Sequence, residues 1–475
     1  MMRGAEVLDS AEAKAIPAPA SSSSVAPGDR EIRELRKALR GRVLTPADVG
    51  YDAARRVYNA MADRRPAMIV RCAGAGDVRA AIDFVRGRGW HPAVRGGGHG
   101  VAGHAVCDGG MMNDLSPMKS VRVDPARRTA RAEGGVTWGE LDRATGRFGL
   151  AAPGGIVSTT GVAGLTLGGG VGWLVRKHGL ACDNLLSAEV ATADGRLLAA
   201  SEDENPDLFW AIRGGGGNFG VATSLTFRLH PVGTVLGGMV LHPRERAAEV
   251  LRFYRDFAPA APEPLTTSLG LITSPDGVQM VALVACWAGA MEEGEAALRP
   301  LRAFGRPVED RIAPLPFPRM QRLMDDAFPA GRRNYWKSDF LRALPDEAIE
   351  RIVEHAARAP SPHTAVLIES YTGAAARIAA DATAYPHRGA PFNLHLFSAW
   401  TDADGDAANV AWTRAAWEAL RPYSTGGAYV NFLGDEGEER VRAAYGANHA
   451  RLAEAKRAYD PGNLFRRNQN VRPAA

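Results

Sequence analysis

The sequence predicts an α+β protein of two domains, on three observations. A chain of 475 residues, 46% of them hydrophobic, holds more apolar material than one small core needs. Up to about residue 229, short apolar and β-branched runs alternate with helical spacings and dense glycine. From 235 to 428, alternating strands mix with amphipathic helices and no long glycine-rich loop occurs.

The elements follow in order. Residues 1–28 are rich in Ala, Ser and Pro and lack both an apolar signal core and an Arg-Arg pair, so they read as a loose tail and the expected location is the cytoplasm. Residues 31–40 form a short charged helix, and Thr45-Pro46 supply the cap and first-turn proline of a second. Residues 67–73 read as a strand. Val78, Ala81, Ile82 and Val85 recur at helical spacing, and a strand over 91–95 runs into Gly96-Gly97-Gly98-His99. Strands 121–124 and 129–132 flank a turn at Pro125, and Thr137 with Glu140 has the spacing of a capping box for a helix to about 148. The second domain offers strands over 281–287, 365–370 and 393–399 and a helix over 346–358. A helix over 441–459 and a polar run over 463–470 close the chain, giving boundaries at 29–234, 235–428 and 429–475.

Several functions are set aside on composition. Charged residues are 23%, the net charge is only +4, and six lysines among 57 basic residues look like genomic bias, so no nucleic-acid partner is expected. Cys72, Cys107, Cys182 and Cys286 form no C-x-x-C pair, which gives neither a disulfide framework nor a thiolate metal site. The 28 uncharged residues between Arg147 and Arg176 are long enough for a bilayer, but nine glycines and Pro153 suit a chain folded around a buried ligand, not a membrane span. Gly98 to Gly103 and Gly215 to Gly220 satisfy G-x-G-x-x-G, yet neither opens a helix, so a dinucleotide fingerprint of the Rossmann kind is not expected. His99, His104, Cys107 and Asp108 match no metal-ligand spacing, and no metal is expected.

Longer motifs carry more. Val94-Arg95-Gly96-Gly97-Gly98-His99 with Gly103, the run from Gly155 through Gly161 to Trp173, Asp183 to Val190, Asp207 to Gly220, and Tyr459-Asp460-Pro461-Gly462-Asn463-Leu464-Phe465 stand in one order along nearly the whole chain beyond residue 45. This set resembles the berberine-bridge-enzyme-like FAD-linked oxidases. The resemblance implies a two-lobed FAD-binding domain of the PCMH type, an α/β substrate domain built on an antiparallel sheet, and a C-terminal segment that returns to the flavin.

It also implies that His99 bonds covalently to the flavin 8α-methyl. An imidazole at the mouth of a glycine loop suits that task. His104, where the family pattern requires no histidine, is expected in contact only. Arg95, Gly96, Gly97, Gly98, Gly103, Gly155, Ser158, Thr160, Gly161, Gly164, Gly169, Gly170, Gly172, Trp173 and Val190 are the other expected flavin neighbours. Asn468 and Asn470, in the closing N-x-N, are expected to hydrogen-bond the isoalloxazine or shape its pocket. Many members add a second flavin bond from a cysteine; here that position is Val157, so a single link is expected, as in a bacterial branch that includes enzymes of antibiotic tailoring.

The implied activity is dehydrogenation of a small organic substrate with hydride passing to flavin N5 and electrons to O2, in secondary metabolism. Tyr429, in Tyr429-Val430-Asn431-Phe432, matches an active-site tyrosine and is the expected base, provided that positive charge or hydrogen bonding lowers its phenol from about 10. Glu369 and Tyr371, two apart in a strand and so on one face, are the second candidates. Thr160 matches a gatekeeper of oxygen access, and its hydroxyl suits an oxygenase of the same branch; a flavoprotein that only binds is the third alternative.

Overall fold

The computed structural model describes residues 27–475, so most of the N-terminal tail lies outside the described residues. The first sheet contains β1 (Arg42–Leu44), β2 (Met68–Arg71), β3 (Ala93–Arg95) and β4 (Met111–Asp114), ordered β1-β2-β4-β3, with only β1 antiparallel to its neighbour. Helix Ala75–Gly87 buries Val78, Ala81, Ile82 and Val85 against Met68, Val70 and Met111. Each valine or isoleucine so buried contributes about 1.5–3 kcal/mol. The strand, helix and strand expected here are all present. Thr45-Pro46, however, open a turn and not a helix: the Asp48 carboxylate accepts both Thr45 N–H and Thr45 O–H, and the helix begins only at Tyr51.

The second lobe is antiparallel. It comprises β5 (Val121–Asp124), β6 (Thr129–Glu133), β7 (Leu150–Ala151), β8 (Leu185–Ala191), β9 (Leu197–Ser201), β10 (Val221–Arg228) and β11 (His230–Pro231). Five of these form the sheet β5-β6-β10-β8-β9, while β7 pairs β11. Thr137 and Glu140 close their capping box on helix Trp138–Gly146. The uncharged stretch before Arg176 contains one short helix, Val162–Leu167, and ends where a second, Val175–His178, begins; among the described residues no helix is long and apolar enough to cross a membrane.

The third unit is an antiparallel sheet of eight strands: β12 (Thr234–Pro243), β13 (Leu265–Thr273), β14 (Gln279–Trp287), β15 (Glu309–Asp310), β16 (Ala313–Pro316), β17 (Arg333–Leu341), β18 (Ala365–Glu369) and β19 (Phe392–Trp400). Strand alternation divides its faces. Leu269, Leu283, Ile368 and Leu394 pack under Leu251, Leu298, Ile349 and Trp412 of four covering helices. The opposite set includes Trp336, Ser338, Glu369, Asn393, His395 and Phe397, brought side by side by the pairings of β17, β18 and β19. The strand expected over 365–370 stops at Glu369, so Tyr371 lies just beyond it.

Buried polar contacts tie the units together, and three of them show how. Arg176, 2% exposed, donates to the carbonyls of Ala258 and Ala261 and to Thr372, so its guanidinium caps the C-terminal end of helix Ala247–Ala260. Asp142 meets Gln321 across the second lobe and the segment after β16. Lys456, fully buried, donates to Asp460 Oδ2 at 2.6 Å, Asn218 O at 2.7 Å and Phe465 O at 3.0 Å. The single helix expected over 441–459 is two, Glu438–Tyr445 and His449–Tyr459, because Gly446 turns the chain at a φ of +49°.

Candidate active site

One cleft lies where both lobes, the large sheet and the C-terminal segment meet. It encloses about 1770 Å³ of atom-free space, its open mouth included. Its walls are the loop 96–105, the loop 155–165, Gly216-Gly217, and the C-terminal stretches 429–433 and 465–469. Phe328, Trp336 and Phe397 close it from the sheet side.

The two glycine loops touch backbone to backbone. A Cβ on Gly97 would stand 2.4 Å from Gly161 N, and one on Gly161 would stand 2.4 Å from Gly97 N. No larger residue fits at either position, and the contact places His99 and Thr160 on the same cleft. The His99 ring stacks on Tyr58, centroids 3.9 Å apart and planes 21° from parallel, and its Nε2 is buried without a hydrogen-bond partner. Burial pushes this imidazole down to about 4, so it is neutral at pH 7. His104 also lines the cleft and is pushed down to about 4, again chiefly by burial.

Of the flavin neighbours expected from sequence, Gly96, Gly97, Gly98, His99, His104, Gly155, Thr160, Gly161, Gly164 and Asn468 line the cleft, as does Tyr429. The others do not, each for a packing reason. Arg95 is held by Asp114 and the Ala54 carbonyl. Gly103 packs against Ala62, and Gly172 lies on the Gly154 carbonyl. Ser158 gives both its N–H and its O–H to Asp325, at 2.8 and 2.7 Å. Gly169 backs onto Tyr385 and Gly170 onto Ala181, while Val190 sits beneath Gly220. Trp173 is buried among Leu174, Val235 and Phe317. Asn470 is outside the lining, with its Oδ1 buried and unpartnered.

Tyr429 precedes a single 3-10 turn, Val430–Phe432, and is 1% exposed. Its hydroxyl oxygen accepts the Gly170 N–H at 3.0 Å and Asn431 Nδ2 at 2.9 Å. Burial nevertheless outweighs both bonds and holds the phenol protonated, well above its ordinary range. The hydrogen bonding anticipated for a tyrosine base is thus present, but the net shift runs the other way. Glu369 and Tyr371 do meet: the Tyr371 O–H bonds Glu369 Oε2, and His395 Nε2 approaches the same oxygen at 2.6 Å. This trio sits behind Phe397 and Phe432, which line the cleft.

The sequence reading missed the aromatic wall and His395. Trp336 and Phe397 are direct cross-strand partners, a relationship that needs the register of β17 against β19. Gly216, Gly217 and Gly220 lay within the motif 207–220 already singled out, and Arg467 within the closing polar run.

The amino-acid sequence matches two family models, an FAD binding domain over residues 66–201 and a berberine and berberine-like segment over 428–472. An FAD-linked oxidoreductase of Dictyostelium discoideum is 33% identical over 86% of this chain and 89% of its own length. (R)-6-hydroxynicotine oxidase of Paenarthrobacter nicotinovorans is 33% identical over 92% of this chain and 97% of its own. The chain belongs to the berberine-bridge-like FAD-linked oxidoreductases. Among solved structures, 6-hydroxy-D-nicotine oxidase from Arthrobacter nicotinovorans superposes with a TM-score of 0.85 at 31% identity, over 92% of this chain and 98% of the other.

The residues of this FAD-linked oxidoreductase fit its cofactor. At Gly100, Gly164 and Gly217 an added Cβ would meet no protein atom within 4 Å, so bare backbone faces open space. Arg467 lines the cleft and forms no ion pair among the described residues; its Nε donates only to the His91 carbonyl, which leaves its charge for a phosphate. Val157, also on the cleft, offers no thiol.

Proposed function

We propose that this enzyme is an oxidase that removes hydride from a carbon bearing an amine or hydroxyl group in a small substrate and passes the electrons to O2. When bound, FAD supplies hydride acceptance at N5 and the return of electrons to oxygen. The observation that carries this reading is one cleft that holds both a neutral, unpartnered His99 Nε2 and an aromatic wall backed by Glu369. His99 is the attachment point for the flavin, by a single bond, since Val157 stands where relatives carry a cysteine. Asn468 and Arg467 hold the cofactor from the C-terminal side.

Glu369 takes the substrate's N–H or O–H proton, and Tyr429, kept protonated by burial, fixes the edge of the cofactor pocket. Trp336, Phe397 and Phe432 exclude water and favour a flat, largely apolar substrate. The oxidation of 6-hydroxynicotine named for a relative supports an amine. A role in secondary metabolism, antibiotic tailoring included, rests on the resemblance alone. Anaerobic mixing with a panel of amines and alcohols that includes (R)-6-hydroxynicotine tests the proposal: bleaching of the flavin band supports it, and an unbleached band across the panel overturns it.

A second reading, an oxygenase, is favoured by Thr160. Its hydroxyl lines the cleft and makes no hydrogen bond among the described residues, while its backbone N–H and C=O are held by Val157 and Trp138. A free hydroxyl there is placed to bind a reduced-oxygen species.

A further inference from the structure

We infer that His395 is a positioning residue which, together with Tyr371, clamps one oxygen of Glu369 and leaves the other for the substrate proton, an inference that rests on the oxidase reading above. The clamp begins with register. His395 stands opposite Leu367 and Ser338, and Glu369 stands opposite Asn393, so all the polar members project from the cleft side of the sheet. Ser338 O–H donates to Asn393 Oδ1 at 3.1 Å, Asn393 Nδ2 lies 3.4 Å from the Tyr371 hydroxyl, and Tyr371 donates to Glu369 Oε2. His395 Nε2 completes the set at 2.6 Å from that oxygen. Both bonds fall on Oε2; Glu369 Oε1 makes no hydrogen bond among the described residues, and the side chain keeps 10% of its surface accessible.

The surroundings of His395 decide which proton it carries. The ring is fully buried, lies parallel to Phe397 with centroids 5.2 Å apart, and meets Phe432 edge-on at 4.6 Å. Its Nδ1 has no partner. A proton on Nδ1 would be buried without an acceptor, so the proton-bearing nitrogen is Nε2, which faces the carboxylate. His395 is then a fixed N–H donor to Glu369. The titratable groups around the trio are phenols that burial keeps protonated: Tyr371 beside His395, Tyr254 of the covering helix near Glu369, and Tyr385 and Tyr429 near Tyr371. Arg176, which faces Tyr254, is occupied by backbone carbonyls.

The test uses the full chain with its flavin bound and two variants. His395→Leu removes the donor; His395→Gln keeps an N–H in nearly the same place. With the panel member that bleaches the wild type fastest, His395→Leu slows flavin reduction by about 10–100-fold while substrate affinity changes far less, as expected for loss of one hydrogen bond to a charged group. The acid limb of the reduction-rate profile moves up by about one pH unit, because Glu369 then holds its proton more tightly. His395→Gln restores most of both. Equal rates and limbs in wild type and His395→Leu, or a lowered melting temperature with an unmoved limb, would overturn the proposal. Nitrogen-15 histidine NMR of the wild type supplies a readout that needs no substrate. It should show His395 protonated on Nε2; an Nδ1–H tautomer with Nε2 bare refutes the clamp. If no substrate bleaches the flavin, the oxidase reading falls, and the NMR result still decides the clamp.

Discussion

Gln321 Nε2 donates to Asp142 Oδ2 across 3.2 Å, while Asp142 Oδ1 and Gln321 Oε1, two acceptors, are both buried without a partner. A proton on the carboxyl satisfies both at once, because the acid O–H can donate to the amide oxygen. Burial pushes Asp142 up to about 7 from 3.8. The folded state therefore binds this proton more tightly than the unfolded chain, and the stability it contributes, a few kcal/mol in order of magnitude, is complete below about pH 3.8 and lost as the pH rises through about 7. Asp142→Asn keeps the pairing and removes the ionisation. Its melting temperature should exceed that of wild type at pH 8 but not at pH 4; parallel curves for the two proteins would show that Asp142 does not titrate.

His99→Ala should abolish flavin fluorescence on the polypeptide after denaturation in acid. His104→Ala, whose imidazole lines the same cleft, should retain it. The reverse pattern would move the attachment to His104.

Glu369→Gln should slow flavin reduction by about 10²–10⁴-fold, the range for a lost general base. Tyr429→Phe leaves the Gly170 and Asn431 donors without an acceptor, so its effect should be a loss of about 1–3 kcal/mol in stability with a smaller effect on rate. Stopped-flow reduction and thermal melts separate the two. A larger rate loss in Tyr429→Phe than in Glu369→Gln would return the base to the tyrosine.

Thr160→Val removes a hydroxyl at nearly constant volume. Peroxide yield and incorporation of labelled O2 should shift if that hydroxyl steers oxygen. Unchanged values in both would leave plain oxidase chemistry.

Arg176→Met strips the end of helix Ala247–Ala260 of its guanidinium and leaves two carbonyls unpaired. Stability should fall by about 1–3 kcal/mol, read from denaturant midpoints, with the flavin still attached.

Local chemistry was legible wherever it was contiguous in the chain. The capping box at Thr137 and Glu140, the hairpin 121–133, and the helical stripe of Val78, Ala81, Ile82 and Val85 all formed where their spacing placed them. The glycine loops were also legible, because Gly97 and Gly161 stand in long ordered motifs. Ser158 was not, since its partner Asp325 is remote in sequence. His395 escaped for the same reason: nothing near it in the chain says that β19 lies beside β18 with Glu369 two residues further along. Thr45-Pro46 failed because Asp48 captured the turn, a local competition that favours the tighter ring.

Lys456 ties Phe465 to Asn218, and so completes with the stretch 465–469 a wall whose opposite side is the loop 96–105. At translation speeds of about 5–20 residues per second, the ribosome delivers these two walls tens of seconds apart. Until the second emerges, the His99 loop can fold but the pocket has one side missing. The cleft therefore gains its closing wall only after residues 465–469 have been made, long after the loop that carries His99.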